Sequence, residues 1–172
     1  QMRETPWGTM TYLEYKERTE FGQSEYEQID AYAKKLDIHW FASPWDLPSV
    51  DFLLGFSPVC IKVASASLTD TALLSKIAAT KVPLILSTGM STMDEIESAV
   101  ALISNTQFGL AHATSTYPCQ PTELNLRMIQ TLDSKFKVPV GYSGHETGLA
   151  TTVAAVAMGA TFIERHITLD RS

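Results

Sequence analysis

Short apolar runs alternate with longer amphipathic ones along most of the chain. The strand-like runs are "IHWFASP" (38–44), "VCIKVAS" (59–65), "VPLILSTG" (82–89), "FGLAHATS" (108–115), "VPVGYSGH" (138–145) and "ATFIERHI" (160–167). Between them lie stretches with the 3.6-residue repeat of helices. In "MDEIESAVALIS" (93–104), for example, Ile96, Val100 and Ile103 fall on one stripe. Thr69-Asp70 before "TALLSKIAAT" and Ser91-Thr92 before "MDEIESAV" supply helix-start chemistry, the second with acids in its first turn. "TTVAAVAMGA" (151–160) is apolar nearly all round, the pattern of a helix wedged between a sheet and its neighbours. Met90, Met93, Met128 and Met158 read as core filling.

Strand starts recur at roughly 20–30 residues, the period of a βα unit, and near-continuous apolar strands belong to parallel sheets covered by helices. An open doubly wound sheet and a (β/α)8 barrel both satisfy that pattern. Six units of similar length with no Gly-rich dinucleotide fingerprint favour the barrel. Six units do not close one, so the expected fold is an incomplete (β/α)8 TIM barrel with its first two strands missing, residues 1–172 forming one partial barrel domain. The lead-in "QMRETPWGTMTYLEYKERTEFG" (1–22) reads as a loop following a lost strand.

Composition narrows the partners. The 172 residues are 45% hydrophobic and 19% charged, with net charge -6. The acidic balance argues against nucleic acid and against anionic membrane surfaces, so an anionic substrate needs a local positive feature. No apolar run approaches the length of a membrane span, and no secretory h-region is visible near residue 1. Two cysteines, Cys60 and Cys119, make no disulfide framework and fit a reducing, cytoplasmic setting.

In a parallel barrel the active site lies at the carboxyl ends of the strands. Those ends carry Ser43; Lys62 and Ser65; Ser87 and Thr88; Thr114, Ser115 and Tyr117; Ser143 and His145; and His166. Any one Ser or Thr there serves equally as a helix cap or turn residue. As a set, the hydroxyls are interleaved with Lys, His and Tyr. Lys62 stands in an apolar run, where a lysine calls for an anion, a Schiff-base role, or an edge position from which it reaches water. His145 and His166 end successive strands, which places two imidazoles within range of one metal ion or of simple hydrogen bonds. His39 is peripheral, and His112 is either core or a support to the site.

"IKVAS", "ILSTGMSTMDEIE", "HATSTYPCQPTELNL", "GYSGHETGLATTVAAVAMGA" and "IERHITLD" resemble the sialic acid synthase family, the N-acetylneuraminate synthases and related nonulosonate synthases. The resemblance covers nearly everything from residue 38 onward. It implies a (β/α)8 barrel that condenses phosphoenolpyruvate with an N-acetylated amino-sugar aldehyde of the N-acetylmannosamine kind, releasing phosphate. It also implies a divalent metal, typically Mn2+ with Mg2+ or Co2+ as substitutes, and a C-terminal antifreeze-like domain that completes the site of a partner in a domain-swapped homodimer. Position by position, His145 and His166 match the metal-binding histidines. Lys62, Ser65, Ser87, Ser115 and Ser143 match residues lining the phosphoenolpyruvate site, although Ser115 stands where Asn is common. Ser43 matches a Thr in the substrate site, and Tyr117 a tyrosine beside the sugar. Ser67 stands where many members carry an acid that contacts the amino sugar, which leaves the acceptor's identity open. The rival readings are a class I aldolase using Lys62 as a Schiff base and a non-catalytic sugar-phosphate-binding barrel.

Overall fold

A computed structural model of the protein describes residues 2–170, and the chain divides into two compact units, 1–40 and 41–172. In the first unit, strands β1 (Met2–Thr5) and β2 (Gly8–Thr11) pair antiparallel as a hairpin. Gly8 takes φ 99° in its turn, a conformation that favours glycine. Helix α1 (Tyr12–Thr19) follows directly, opened by a capping box in which Thr11 and Glu14 exchange hydrogen bonds. Helix α2 (Gln23–Lys35) completes the unit, where Trp40 Nε1 donates to Asp30 at 3.1 Å. The lead-in is therefore not a loop. Gly8 and the Thr11-x-x-Glu14 box are the local chemistry that gives it structure.

The second unit begins with α3 (Leu47–Leu54), whose cap Asp46 accepts from the Ser49 amide at 2.7 Å. Five strands follow, β3 (Ile61–Val63), β4 (Leu84–Ser87), β5 (Phe108–Ala113), β6 (Val140–Gly144) and β7 (Ile163–Arg165). They form one parallel sheet in the order β3-β4-β5-β6-β7. Helices α4 (Thr71–Thr80), α5 (Met93–Ile103), α6 (Met128–Phe136) and α7 (Ala150–Ala157) are the crossovers. Sequential order with a helix in every connection is the wiring of part of a βα barrel. Asp70 caps α4 through the Leu73 amide at 2.9 Å, and Thr92 caps α5 in a box with Glu95.

Strand alternation places one face of the sheet under the helices. Ile61, Val63, Leu84, Leu86, Leu110, Val140 and Tyr142 point there and are buried with Leu74, Ile77, Ile96, Ile103, Ile129 and Leu132. On the other face, Gly109, Ala111, Ala113 and Gly141 are small. A Cβ added at Gly141 would collide with the Phe162 ring, so the glycine lets that ring lie across the base of the sheet.

Three expectations need correction. Segment 38–44 forms no strand, because it meets β3 through a single backbone bond, Lys62 N–H to Ala42 O at 3.1 Å, and one bond makes no ladder. Met90 is exposed rather than core, since it occupies a positive-φ turn (φ 60°) that carries its side chain outward. Along α7 only Ala155 is buried, while Leu149, Val153 and Val156 are exposed. Its apolar ring is thus covered on one side by the residues described. Among the described residues no helix is long and apolar enough to cross a membrane.

Candidate active site

The sheet register fixes which polar side chains can meet. Lys62 pairs with Ile85, Ser87 with Ala111, Ala113 with Ser143, and Ser143 with Glu164. Period-2 alternation therefore puts Lys62, Ser87, Ser143 and Glu164 on the face away from the helices, near the carboxyl ends. There Lys62 Nζ and Ser143 Oγ both donate to Glu164 Oε1, each at 3.0 Å. This joins β3, β6 and β7 at one carboxylate. The Ser87 hydroxyl is buried with no hydrogen-bond partner, alone in this among the described residues' buried side-chain atoms. An unmatched buried hydroxyl is a place where a ligand oxygen restores a lost bond.

Further along the same strands, past Ser143 and Glu164, come the imidazoles. His145 Nδ1 lies 2.6 Å from the Thr114 carbonyl oxygen, which can only accept, so Nδ1 carries the proton. The lone pair is then on Nε2, where the Tyr117 hydroxyl donates to it at 2.9 Å. Tyr117 also packs against the His145 ring, with centroids 4.1 Å apart. His166 brings its ring centroid to 5.4 Å from that of His145 and 5.8 Å from that of Tyr117. Two imidazoles bound to one ion, each nitrogen about 2 Å from it, place their centroids about 4.5–6 Å apart. A His whose other nitrogen is held by a carbonyl is the usual form of a metal ligand. The pair thus fits a divalent ion once the Tyr117 hydroxyl gives up the Nε2 lone pair of His145 that it holds here. Among the described residues, no group of three or more His, Cys, Asp and Glu gathers for such an ion.

A third cluster caps β3, β4 and β5. Ser65 Oγ accepts from the Gly89 amide at 3.0 Å, and a Cβ at Gly89 would lie 2.5 Å from Ser115 Oγ and 2.8 Å from Ser65 Oγ. The Ser65 and Ser115 hydroxyls therefore converge beside Gly89, where only a glycine leaves them room. Ser43 is half-buried before α3 and makes no hydrogen bond to these residues. Ser67 is buried in the turn Ser65–Ser67 that follows β3. His112 lies on the helix-covered face, with Nε2 2.7 Å from the Leu124 carbonyl oxygen. Burial pushes its imidazole below the ordinary value, and the carbonyl only partly opposes that. It is a core residue.

Sequence reasoning missed Glu164, and the signal for it was available: in "FIERH" Phe162, Glu164 and His166 alternate onto the face that carries the site. It also missed Glu146 and Arg165. Glu146 is buried, accepts the Tyr142 hydroxyl at 2.6 Å and forms an ion pair with Arg165. Burial alone would raise the Glu146 carboxyl. The Tyr142 hydroxyl and the guanidinium outweigh it and hold the carboxyl below the usual range. Tyr142 is pushed up, first by burial and then by that carboxylate.

The fold and these clusters define a parallel βα-barrel-type protein with its polar site at the carboxyl ends of the strands. The NeuB family pattern matches residues 1–172, and the chain belongs to that family. It is 40% identical over 169 residues to N-acetylneuraminate-9-phosphate synthase of Mus musculus, covering 96% of this chain and 47% of that protein. It is 36% identical over 165 residues to N,N'-diacetyllegionaminic acid synthase of Campylobacter jejuni, covering 93% and 49%. The solved N-acetylneuraminic acid (sialic acid) synthetase of Leptospira borgpetersenii, in complex with citrate, superposes with a TM-score of 0.87 at 38% identity. That match covers 88% of this chain and 54% of the other. The chain spans about half the length of the curated relatives it matches.

Proposed function

We propose that the protein carries the catalytic barrel of a nonulosonate synthase. It condenses phosphoenolpyruvate with an N-acetylated amino-sugar aldehyde and releases phosphate. The observation that carries this reading is the stacking of two sites at one sheet end. An ammonium–carboxylate–hydroxyl cluster (Lys62, Glu164, Ser143) lies beneath a pair of imidazoles (His145, His166). Family membership and the named synthases support the substrate pair.

Lys62, Ser143 and Ser87 bind the anionic groups of phosphoenolpyruvate, and the Ser65 and Ser115 hydroxyls extend that surface across β3–β5. Tyr117 packs over His145 and orients the acceptor. Glu164 holds Lys62 and Ser143 in place and is positioned to take or return a proton as water adds to the enolpyruvate carbon. His145 and His166 would hold a divalent ion, Mn2+ in our reading, which supplies Lewis-acid polarisation of the acceptor's aldehyde oxygen. The parallel units belong to a (β/α)8 barrel completed by further chain, working in the cytoplasm as a homodimer that exchanges an antifreeze-like domain. Ser67 offers the acceptor no carboxylate, so its amino group is read elsewhere.

The test is phosphate release by the full-length protein from phosphoenolpyruvate with a panel of hexosamine acceptors. We expect release to depend on both substrates and on added Mn2+, and to be lost in His145→Ala and His166→Ala. A borohydride-trapped ketone adduct on Lys62, with no metal dependence, would overturn the reading in favour of an aldolase.

A further inference from the structure

Arg165 and His166 are consecutive, so they leave β7 on opposite faces. His166 joins the site, and Arg165 turns behind the sheet to the segment that follows His145. Among the described residues, every hydrogen bond of its guanidinium ends there. Nη1 pairs with Glu146 Oε1 and donates to Thr152 Oγ1 at 3.2 Å, and Nη2 donates to the carbonyls of Glu146 (2.7 Å) and Gly148 (3.0 Å). The Glu146 side chain is 3% exposed, and its second oxygen is bound by the Tyr142 hydroxyl at 2.6 Å. The network crosses directly over Gly144. A Cβ there would stand 2.6 Å from Arg165 Nη1 and 2.8 Å from both Glu146 Oε2 and Tyr142 Cε1. Gly144 and Glu146 flank His145, and Arg165 precedes His166.

We propose that the Glu146–Arg165 pair, anchored by Tyr142 and admitted by Gly144, is a strut that sets the separation of the His145 and His166 imidazoles from behind the sheet. These are positioning residues. They touch neither substrate nor ion, and the proposal rests on the reading of His145 and His166 as metal ligands. Each imidazole hangs on a backbone whose neighbouring side chain is tied to the other's segment. The two donors are therefore held at a fixed separation before an ion arrives, and the ordering cost of bringing them together is not charged to binding. The main-chain bonds to Glu146 and Gly148 need the forked donors of Arg, which a lysine cannot reproduce.

The experiment uses the full-length protein without substrate. Mn2+ affinity is measured by electron paramagnetic resonance titration in the wild type, Glu146→Gln, Arg165→Met, Arg165→Lys and the Glu146→Gln/Arg165→Met double variant. Supporting the strut, the affinity falls about 10–100-fold in each single variant. The double variant falls little further, and Arg165→Lys recovers only part. In the metal-free protein, nitrogen-15 histidine spectra show the His145 and His166 signals shifting in Arg165→Met while that of His112 stays. Gly144→Ala, which pushes into the network without removing a charge, shifts the same two signals and serves if Arg165→Met does not fold. Mn2+ affinities within threefold of wild type, or unmoved His145 and His166 signals, overturn the strut. If wild-type Mn2+ binding is indifferent to His166→Ala, the metal reading fails instead, and the metal-free spectra still decide whether the pair positions the imidazoles.

Discussion

Replacing Glu164 by Gln tests the inner cluster by the sign of its effect as well as its size. Glu164 Oε1 lies 3.0 Å from Lys62 Nζ, so an anion that takes the ammonium shares its surroundings with a carboxylate. Two unit charges about 4 Å apart interact by about 1 kcal/mol in water and about 4 kcal/mol at the effective dielectric of a protein surface. The Glu164 side chain is 40% exposed and that of Lys62 12%, so solvent screening favours the lower half of that range, about 1–2 kcal/mol. Gln keeps the shape and the oxygen that accepts from Lys62 and Ser143, and it removes the charge. Phosphoenolpyruvate binding to Glu164→Gln, measured by calorimetry without acceptor or metal, is expected to tighten about 5–30-fold. The gain shrinks as salt rises. Lys62→Met is expected to bind at least about tenfold more weakly, since it removes the charge-assisted contact. Equal or weaker binding in Glu164→Gln refutes the electrostatic argument, and a Lys62→Met protein that binds as wild type takes Lys62 out of the anion site.

Three further expectations concern the scaffold. Gly141→Ala drives a methyl into the Phe162 ring and should cost about 1–3 kcal/mol in urea unfolding; Phe162→Leu in the same chain should recover part of it, and a fully additive loss would clear the ring of blame. His112 is held below its ordinary value by burial, so the unfolded chain takes up the proton first as pH falls. Its contribution is intact above about pH 6.5 and is lost as pH drops from there through the folded value, so the urea midpoint should fall more steeply toward about pH 5.5 in wild type than in His112→Gln; parallel profiles would exonerate His112. Thr92→Ala removes the α5 cap and should cost about 1 kcal/mol by the same measurement, whereas no change would show that the box with Glu95 contributes nothing.

What the sequence shows of this protein follows the range of the interactions involved. Strands β3 to β7 and helices α4 and α5 are legible because their signals are local: an apolar run, a cap, a period. As candidates, Lys62 is legible because it interrupts an apolar strand, and the His145/His166 pair because both directly follow neighbouring apolar strands. Segment 38–44 carries the same local signal as the true strands, yet a strand exists only through its ladder, and here one bond forms. Met90 is apolar by composition, but a positive φ decides where it points. Glu164 reaches Lys62 across 102 residues, and Arg165 reaches Glu146 across 19, and neither pairing leaves a periodic trace. The alternation in "FIERH" reveals a face for Glu164 without revealing its partner. The hairpin and α1 at residues 2–19 were within reach, since Gly8 and the Thr11/Glu14 box are turn and cap chemistry of the ordinary kind.

The spacing of the two clusters follows from strand geometry. Ser143 and His145 are two residues apart in sequence, as are Glu164 and His166, and alternation returns each pair to one face about 6–7 Å apart along the strand direction. Parallel neighbours β6 and β7 carry this offset in register, since Ser143 pairs with Glu164. A hydroxyl–carboxylate level and an imidazole level therefore form together, and neither can shift without the other. On the proposed reading, that separation is what the reaction needs. The anion is gripped at the lower level and the acceptor oxygen is polarised at the upper one, so the carbons that must join lie between them. Longer spacing would part the reactants, and adjacent positions would send one side chain behind the sheet. Arg165 shows that second outcome in use, since the residue between Glu164 and His166 faces backward and ties down the loop that carries the other imidazole.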